Sequence, residues 1–132
     1  MTRPSGDLPV AVRHFLYSCI DSIEQLDTLL HLRASGKPAT VRQVSSELGL
    51  QAEATRINLE ALVARGLVQV KVAEPSNYRY DPRSAELRRY VDAVVEHHSR
   101  DRSSVLNLVL GQSRGSIKGF ADAFKLTEDP ER

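Results

Sequence analysis

Residues 40–50 read Thr-Val-Arg-Gln-Val-Ser-Ser-Glu-Leu-Gly-Leu, and they carry the clearest structural pattern in the chain. Thr40 and Gln43 have the spacing of a capping box, which predicts that a helix begins there. Gly49 suits a left-handed turn, so the helix is predicted to end at this residue. An amphipathic run over residues 51–65 follows and is bounded by a second glycine. The stretch therefore predicts two short helices joined by a tight turn.

A β-hairpin is predicted directly after the second helix. Residues 67–72 alternate apolar and polar side chains, and residues 78–80 read Tyr-Arg-Tyr after a polar break at residues 74–77. Period-two alternation on both sides of a short polar break is typical of two antiparallel strands. Helix, turn, helix and hairpin in this order resemble the winged helix-turn-helix of bacterial transcriptional regulators, in which the second helix can enter a DNA major groove.

A helical segment is predicted on the N-terminal side of this winged core. Residues 1–20 are expected to form a frayed polar tail and a flanking helix, and residues 21–82 form the core itself. Two overlapping capping boxes, at Asp21 and Ser22, mark the start of the first core helix. The apolar residues of the flanking helix recur at helical spacing and are Val10, Phe15, Leu16 and Cys19.

A longer helical region is predicted on the C-terminal side. Asp81 followed by Pro82 has the residue types that cap and open a helix, so a long helix is expected from there through about Arg102. Residues 83–126 are assigned to this helix and to a further helical extension that ends in an amphipathic segment at residues 117–126. The charged residues 127–132 are predicted to form a disordered tail.

Length, charge and cysteine content place limits on function. The chain has 132 residues, enough for one domain with its own core, and its single cysteine excludes an internal disulfide. Its longest apolar stretch, residues 104–110, is too short to cross a bilayer, and a cytoplasmic location is expected. Eighteen basic and seventeen acidic residues leave a net charge of +1, so any DNA binding must come from a local arrangement of charges.

A family resemblance supports this fold. Glu47-Leu48-Gly49-Leu50, Leu59, Leu62 and Arg65-Gly66-Leu67-Val68 resemble the winged-helix core of MarR-type, TrmB-type and related bacterial regulators. Other stretches are similar to a group of small uncharacterised bacterial winged-helix proteins: residues 20–26, 78–82, 86–88 and 120–124. The resemblance implies a mostly α-helical domain with a small hairpin, placed for duplex contact and often found as a homodimer.

The outward side of the second core helix carries the candidate base contacts, Gln51, Glu53, Arg56 and Ile57. Arg56 has the donors for a bidentate contact to guanine, whereas Gln51 can read adenine or cap the helix. Glu53 and Glu60 would bring carboxylates toward phosphates, which is unfavourable unless a carboxylate reaches a cytosine amino group. Alternatively, Arg56 pairs with Glu60 or Glu53 and the helix face is merely solvated.

Three further basic residues are candidate phosphate contacts. Arg42 belongs to the first core helix, and Lys71 and Arg79 belong to the hairpin. For each of them taken alone, the sequence favours an ordinary solvated surface charge.

Metal, cofactor and enzyme functions find little support. His97 and His98 are adjacent, whereas two ligands on one helix are normally three or four residues apart, and no metal site is predicted. Cys19 has no basic neighbour at ideal helical spacing and is expected to be a buried apolar residue. No phosphate-binding glycine loop, nucleophile elbow or zinc-binding helix motif is present in the sequence, so neither a cofactor nor an enzymatic activity is predicted.

Two functions are consistent with these features. The first is a sequence-specific DNA-binding transcriptional regulator that binds double-stranded DNA as a homodimer. Apolar residues of the flanks would form the dimer, among them Val10, Val105 and Phe120. The second is a winged-helix module that binds a protein partner and has little or no affinity for DNA, with Ile57 as a contact residue. The two differ in how strongly binding depends on salt.

Overall fold

The computed structural model describes residues 8–111, which form six helices and one two-stranded sheet. The elements in chain order are α1 (Val10–Cys19), α2 (Ile23–Ser35), α3 (Val41–Leu48), α4 (Ala52–Ala64), β1 (Val68–Lys71), β2 (Asn77–Tyr80), α5 (Ala85–Arg100) and α6, a helix over residues 102–111. The predicted fold class, mostly α-helical with a small β-hairpin, is confirmed.

In the helix-turn-helix of α3 and α4, the first helix begins and ends at the capping residues predicted from the sequence. The Thr40 hydroxyl accepts from the Gln43 amide at 3.1 Å, and the Gln43 side chain accepts from the Thr40 amide at 2.9 Å, which completes the capping box. Gly49 ends α3 in the left-handed region with φ of 69°. This conformation is strained for residues with a Cβ, so the tight turn into α4 depends on glycine.

The hydrophobic core is one cluster to which all six helices and the wing contribute, and its central part lies between α2 and α4. Leu29 and Leu32 of α2 and Leu59 and Leu62 of α4 are almost completely buried. Thr55, also buried, satisfies its hydroxyl by donating to the main-chain oxygen one turn earlier at 2.9 Å, so a polar residue is accommodated here without an unpaired group. One face of α4 is therefore fixed in the core, and the other is left outside.

The hairpin forms a wing that is bonded directly to the helix-turn-helix. Its strands pair antiparallel, with Val70 opposite Tyr78. Tyr78 also exchanges two main-chain hydrogen bonds, of 2.8 and 2.9 Å, with Ala39, the second residue before α3. The Tyr78 side chain is buried, which is typical of an aromatic residue that packs across the strands of a hairpin. The wing is thus held in a fixed position relative to the start of α3.

The prediction that the C-terminal helix begins at Asp81-Pro82 is wrong. The Asp81 amide donates to the oxygen of Leu67 at 3.1 Å, and the Arg83 amide donates to the oxygen of Gly66 at 2.8 Å. These bonds keep the chain alongside the start of the wing for three more residues. Ser84 caps α5 instead, since its hydroxyl accepts from the amide three residues later at 3.1 Å.

The long helix predicted through Arg102 is interrupted at Asp101, which is a second correction. Asp101 leaves the helical conformation, with φ of −146° and ψ of 76°, and its carboxylate accepts from the Ser104 amide at 3.2 Å. Aspartate at a helix N-terminus is stabilised by the helix dipole, so α6 starts there as a separate helix. The segment predicted to be helical at residues 117–126 and the tail at residues 127–132 lie outside the described residues.

The flanks pack against each other within the chain. Phe15 of α1 contacts Tyr90 of α5, with 5.5 Å between ring centroids. Val12 is buried, whereas Val10, expected on the same apolar side as Phe15, is 71% exposed. The predicted apolar face of α1 was therefore partly wrong. Val12 and Phe15 point into the core, whereas Val10 lies on the surface.

Candidate nucleic-acid interface

An open groove of about 840 Å³ lies between α3, α4 and the turn of the wing. The start of α3 forms one wall, the outward face of α4 forms the floor, and Pro75, Ser76 and Tyr78 form the opposite wall. Arg42 of α3 and Arg56 and Glu60 of α4 also line this groove. Two of the seven candidate contact residues, Arg42 and Arg56, are thus brought to one concave surface.

The outward face of α4 is accessible along its length. Gln51, Glu53 and Glu60 are exposed, and Ile57 is 54% exposed although it is apolar. Gln51 occupies the N-cap position, but its side chain makes no capping hydrogen bond. The Gln51 side chain therefore does not cap α4, and its amide group is accessible for contacts outside the helix.

Arg56 is held by both neighbouring carboxylates. Its Nε donates to Glu53 Oε1 at 3.2 Å, its Nη2 donates to Glu53 Oε2, and its Nη1 donates to Glu60 Oε1 at 2.9 Å. These bonds raise the pKa of the Arg56 guanidinium, and the hydrogen bonds and charge of Arg56 lower the pKa of the Glu53 carboxyl. One positive and two negative charges give this cluster a net charge of −1.

The candidate phosphate contacts lie on two different surfaces. Arg42 is exposed on the groove wall, while Lys71 and Arg79 point to the outer face of the wing and line a separate cleft of about 450 Å³. Arg79 donates to Asp81 at 3.2 Å. Within residues 8–111, Arg42 and Lys71 form no ion pair, so both charges are available to a partner.

Two contacts that fix the helix-turn-helix were not predicted from the sequence. His31 Nε2 lies 2.6 Å from Glu47 Oε1 and links α2 to α3. Arg65, just after α4, donates through Nη1 to the main-chain oxygen of Cys19 at 3.1 Å and to the Gln25 side chain at 3.2 Å. The partners are 16 to 46 residues apart, so no local pattern signals these contacts.

No metal or membrane feature is found in the described part of the chain. Residues 8–111 contain no group of three histidine, cysteine or acidic side chains arranged to hold a metal ion. His97 is buried, and its Nε2 has no hydrogen-bond partner among these residues. Cys19 is half-buried, and burial raises the pKa of its thiol more than Arg65 lowers it. None of the helices in this range has the length and hydrophobicity needed to span a bilayer.

Together, the fold and the groove define a winged helix-turn-helix domain. No protein-family model matches the sequence, and no curated protein sequence matches it. The chain is similar to solved structures, among them RV1404 from Mycobacterium tuberculosis, at 20% identity and TM-score 0.50, covering 93% of this chain and 87% of that one.

Two other solved structures have the same fold. CouR from Rhodococcus jostii RHA1, solved with p-coumaroyl-CoA bound, is 17% identical at TM-score 0.51, with 92% of this chain and 83% of that one covered. Wild-type MarR from E. coli, in its apo form, is 11% identical at TM-score 0.50, with 92% and 98% covered. These similarities show that the chain has a MarR-like winged-helix fold.

Proposed function

We propose that the chain is a sequence-specific DNA-binding transcriptional regulator that acts as a homodimer. The observation that carries the proposal is the groove between α3, α4 and the wing, with Arg42 and Arg56 on its surface. Solved structures of the same fold include a transcriptional regulator of the MarR family from Rhodococcus sp. RHA1. In a winged helix the second helix enters the major groove, and the wing contacts the backbone beside it.

We assign base contacts and phosphate contacts to different parts of this surface. Gln51, Glu53, Arg56 and Ile57 on α4 would face base edges, which carry the sequence information. Arg42 beside the groove and Lys71 and Arg79 on the wing would contact phosphates, which set affinity and register. Since the whole chain has a net charge of only +1, binding would depend on these few positions rather than on a broad positive field.

Surface-exposed apolar residues support a homodimer. On α1 and α6, far along the chain from the wing, Val10 is 71% exposed, Tyr17 is 60% exposed and Leu110 is 41% exposed. A second copy of the chain would cover these side chains, and a two-fold dimer would place two copies of α4 about 34 Å apart, which matches successive major-groove segments. The expected operator is therefore a palindrome.

Selection from a pool of random DNA duplexes tests this function. The purified protein is incubated with the pool at about 150 mM salt, where non-specific binding is largely suppressed, and the retained duplexes are sequenced. Enrichment of a palindrome with half-sites about 10 base pairs apart is the expected result. A folded sample that enriches no motif would overturn the proposal.

A second function, a winged helix that binds a protein, is favoured by one observation. Exposed Ile57 lies among Glu53, Arg56 and Glu60, a cluster of net charge −1 that repels phosphates. A protein interface of this kind would bind with weak salt dependence, whereas DNA affinity falls with a slope of about −0.9 per neutralised phosphate. The two functions are therefore distinguished by measuring affinity at several salt concentrations.

A further inference from the structure

Arg56, on the exposed face of α4, uses only some of its N–H donors in contacts to neighbouring residues. A guanidinium group has five N–H donors, and the contacts to Glu53 and Glu60 use three of them: one on Nε, one on Nη2 and one on Nη1. One N–H therefore remains on each terminal nitrogen. A bidentate contact to guanine O6 and N7 uses one N–H on each terminal nitrogen, with the two N–H groups parallel. Arg56 forms this fork when Glu60 takes the Nη1 hydrogen that points away from Nη2.

The two carboxylates differ in their position relative to the groove. Arg56 and Glu60 line it, whereas Glu53 lies beside it and binds Arg56 through both of its oxygens. Glu60 uses only Oε1 for Arg56, so Oε2 has no partner among residues 8–111. A free carboxylate oxygen on a groove surface is an acceptor suited to the amino group of cytosine.

We infer that Glu53, Arg56 and Glu60 form one preassembled reader of a guanine and a neighbouring cytosine in the major groove. Arg56 donates to the guanine, Glu60 accepts from the cytosine amino group, and Glu53 is a positioning residue that holds Arg56. The inference rests on the proposed DNA-binding function and adds to it the bases that are read.

Preassembly has two physical consequences. A free arginine side chain loses much of its rotational freedom on binding, whereas the two carboxylates have already restricted Arg56 before DNA arrives. The net charge of −1 also weakens attraction to phosphates on any sequence. The restricted side chain raises the ratio of specific to non-specific affinity, on which a regulator depends in a genome full of competing sites. The net charge lowers affinity for all duplexes alike, so binding depends more on the base contacts.

Single-base variants of the selected duplex test the inference, with affinity measured by fluorescence anisotropy at about 150 mM salt. Arg56→Ala is expected to reduce discrimination at one guanine by about 5- to 100-fold. Arg56→Lys keeps the charge but loses the rigid planar fork, so it should retain non-specific affinity and weaken guanine discrimination. Glu60→Gln is expected to weaken a preference for cytosine at a neighbouring position, because a neutral amide oxygen is a poorer acceptor than a carboxylate.

Glu53→Gln tests whether Glu53 acts by positioning Arg56 or only through its negative charge. It should reduce discrimination at the same guanine while raising non-specific affinity, with no change in which base is preferred. Glu96→Gln on α5 removes the same charge outside the groove and should change neither quantity. Thermal unfolding of each variant confirms that it is folded, which is expected because all of the substituted side chains are solvent-accessible.

The possible outcomes are distinct. A selected motif whose guanine preference is unaffected by Arg56→Ala or Arg56→Lys would overturn the inference and leave the proposed function standing. A Glu53→Gln variant that tightens binding to all duplexes equally, with discrimination intact, would also overturn the positioning role. If the wild-type protein enriches no motif, the proposed function fails, and the inference fails with it.

Discussion

Nη1 of Arg65 lies 3.1 Å from the main-chain oxygen of Cys19, and this contact joins the end of α4 to the end of α1. The same nitrogen is 3.1 Å from Asp21 Oδ2 and 3.2 Å from Gln25 Oε1. The two N–H donors of this one nitrogen are therefore shared among three acceptors at the junction of α1 and α2. The candidate recognition helix is anchored at its C-terminal end to the segment that leads from the flank into the core.

Arg65→Ala should lower the free energy of unfolding by about 1–2 kcal/mol, since hydrogen bonds to charged groups contribute about 1.5–3 kcal/mol when buried and this site is partly exposed. Urea denaturation followed by circular dichroism measures the change. Arg42→Ala is the matched control: Arg42 is exposed without an ion pair among residues 8–111 and should shift stability by less than about 0.5 kcal/mol. Equal effects of the two variants would contradict the anchoring role.

Gly66 is predicted to be intolerant of a side chain. Its φ of 78° lies in the left-handed region, and a Cβ there would come within 2.4 Å of the Arg83 side chain. Gly66→Ala should therefore destabilise the protein by about 1–2 kcal/mol from backbone strain. Gly111→Ala, at a position with open space and no positive φ, is the control and should be neutral or slightly stabilising. Thermal unfolding compares the two.

Ser84→Ala tests the corrected start of α5. Loss of the hydroxyl that accepts from the Leu87 amide should cost about 1 kcal/mol of stability, the usual effect of removing an N-cap. Ser84→Asp keeps an acceptor at the helix N-terminus and should restore most of the stability. If Ser84→Ala were neutral, the cap would lie elsewhere.

The predictable parts of the structure are those encoded by neighbouring residues. The Thr40 and Gln43 capping box, the turn at Gly49 and the alternating strands of the wing each depend on side chains within a few positions of one another. Local signals also anticipated that Arg56 pairs with Glu53 or Glu60, and the structure contains both pairs. Whether the cluster reads DNA is not a local property and stays a prediction.

The features that were missed depend on the tertiary structure. Asp81-Pro82 is a good helix-start sequence, but the chain there is bonded to the main chain of Gly66 and Leu67, and these long-range bonds delay the helix until Ser84. Asp101 could have been recognised from the sequence as a cap for α6. The contact between Arg33 and Asp92 could not have been recognised from the sequence, because these two residues are 59 positions apart.

The Cys19 thiol should react slowly with alkylating reagents in the folded protein. Burial raises the pKa of this thiol, and only the thiolate is nucleophilic, so the alkylation rate should reach half its maximum at a higher pH than the ordinary thiol value of about 8.5. The comparison is the same chain unfolded in urea, where the midpoint should return to the ordinary value. A folded-state midpoint at or below the unfolded one would show that Arg65 outweighs burial.

Replacing the exposed apolar residues of the flanks should disrupt the proposed dimer. Val10→Glu combined with Leu110→Glu places two charges on α1 and α6 and should give a monomer in sedimentation velocity measurements. Val72→Glu is the control, because Val72 is 84% exposed but lies just beyond β1 on the wing. If the double variant remained dimeric, another surface would have to hold the two copies together.

Replacing the phosphate-contact residues should reduce the salt dependence of DNA binding. Arg42→Gln and Lys71→Gln should each lower the slope of log affinity against log salt concentration by about 0.9, because each removes one neutralised phosphate. The loss should be similar for all duplex sequences. Arg89→Gln, an exposed change on α5, should leave the slope unaltered.

Amide NMR shifts, mapped as the selected duplex is added, show directly whether the groove between α3, α4 and the wing binds DNA. If DNA binds in this groove, the largest changes fall on residues 51–60, Arg42 and Lys71, with small changes on α5. Changes confined to α1 and α6, or no changes at all with a folded protein, would contradict binding in this groove.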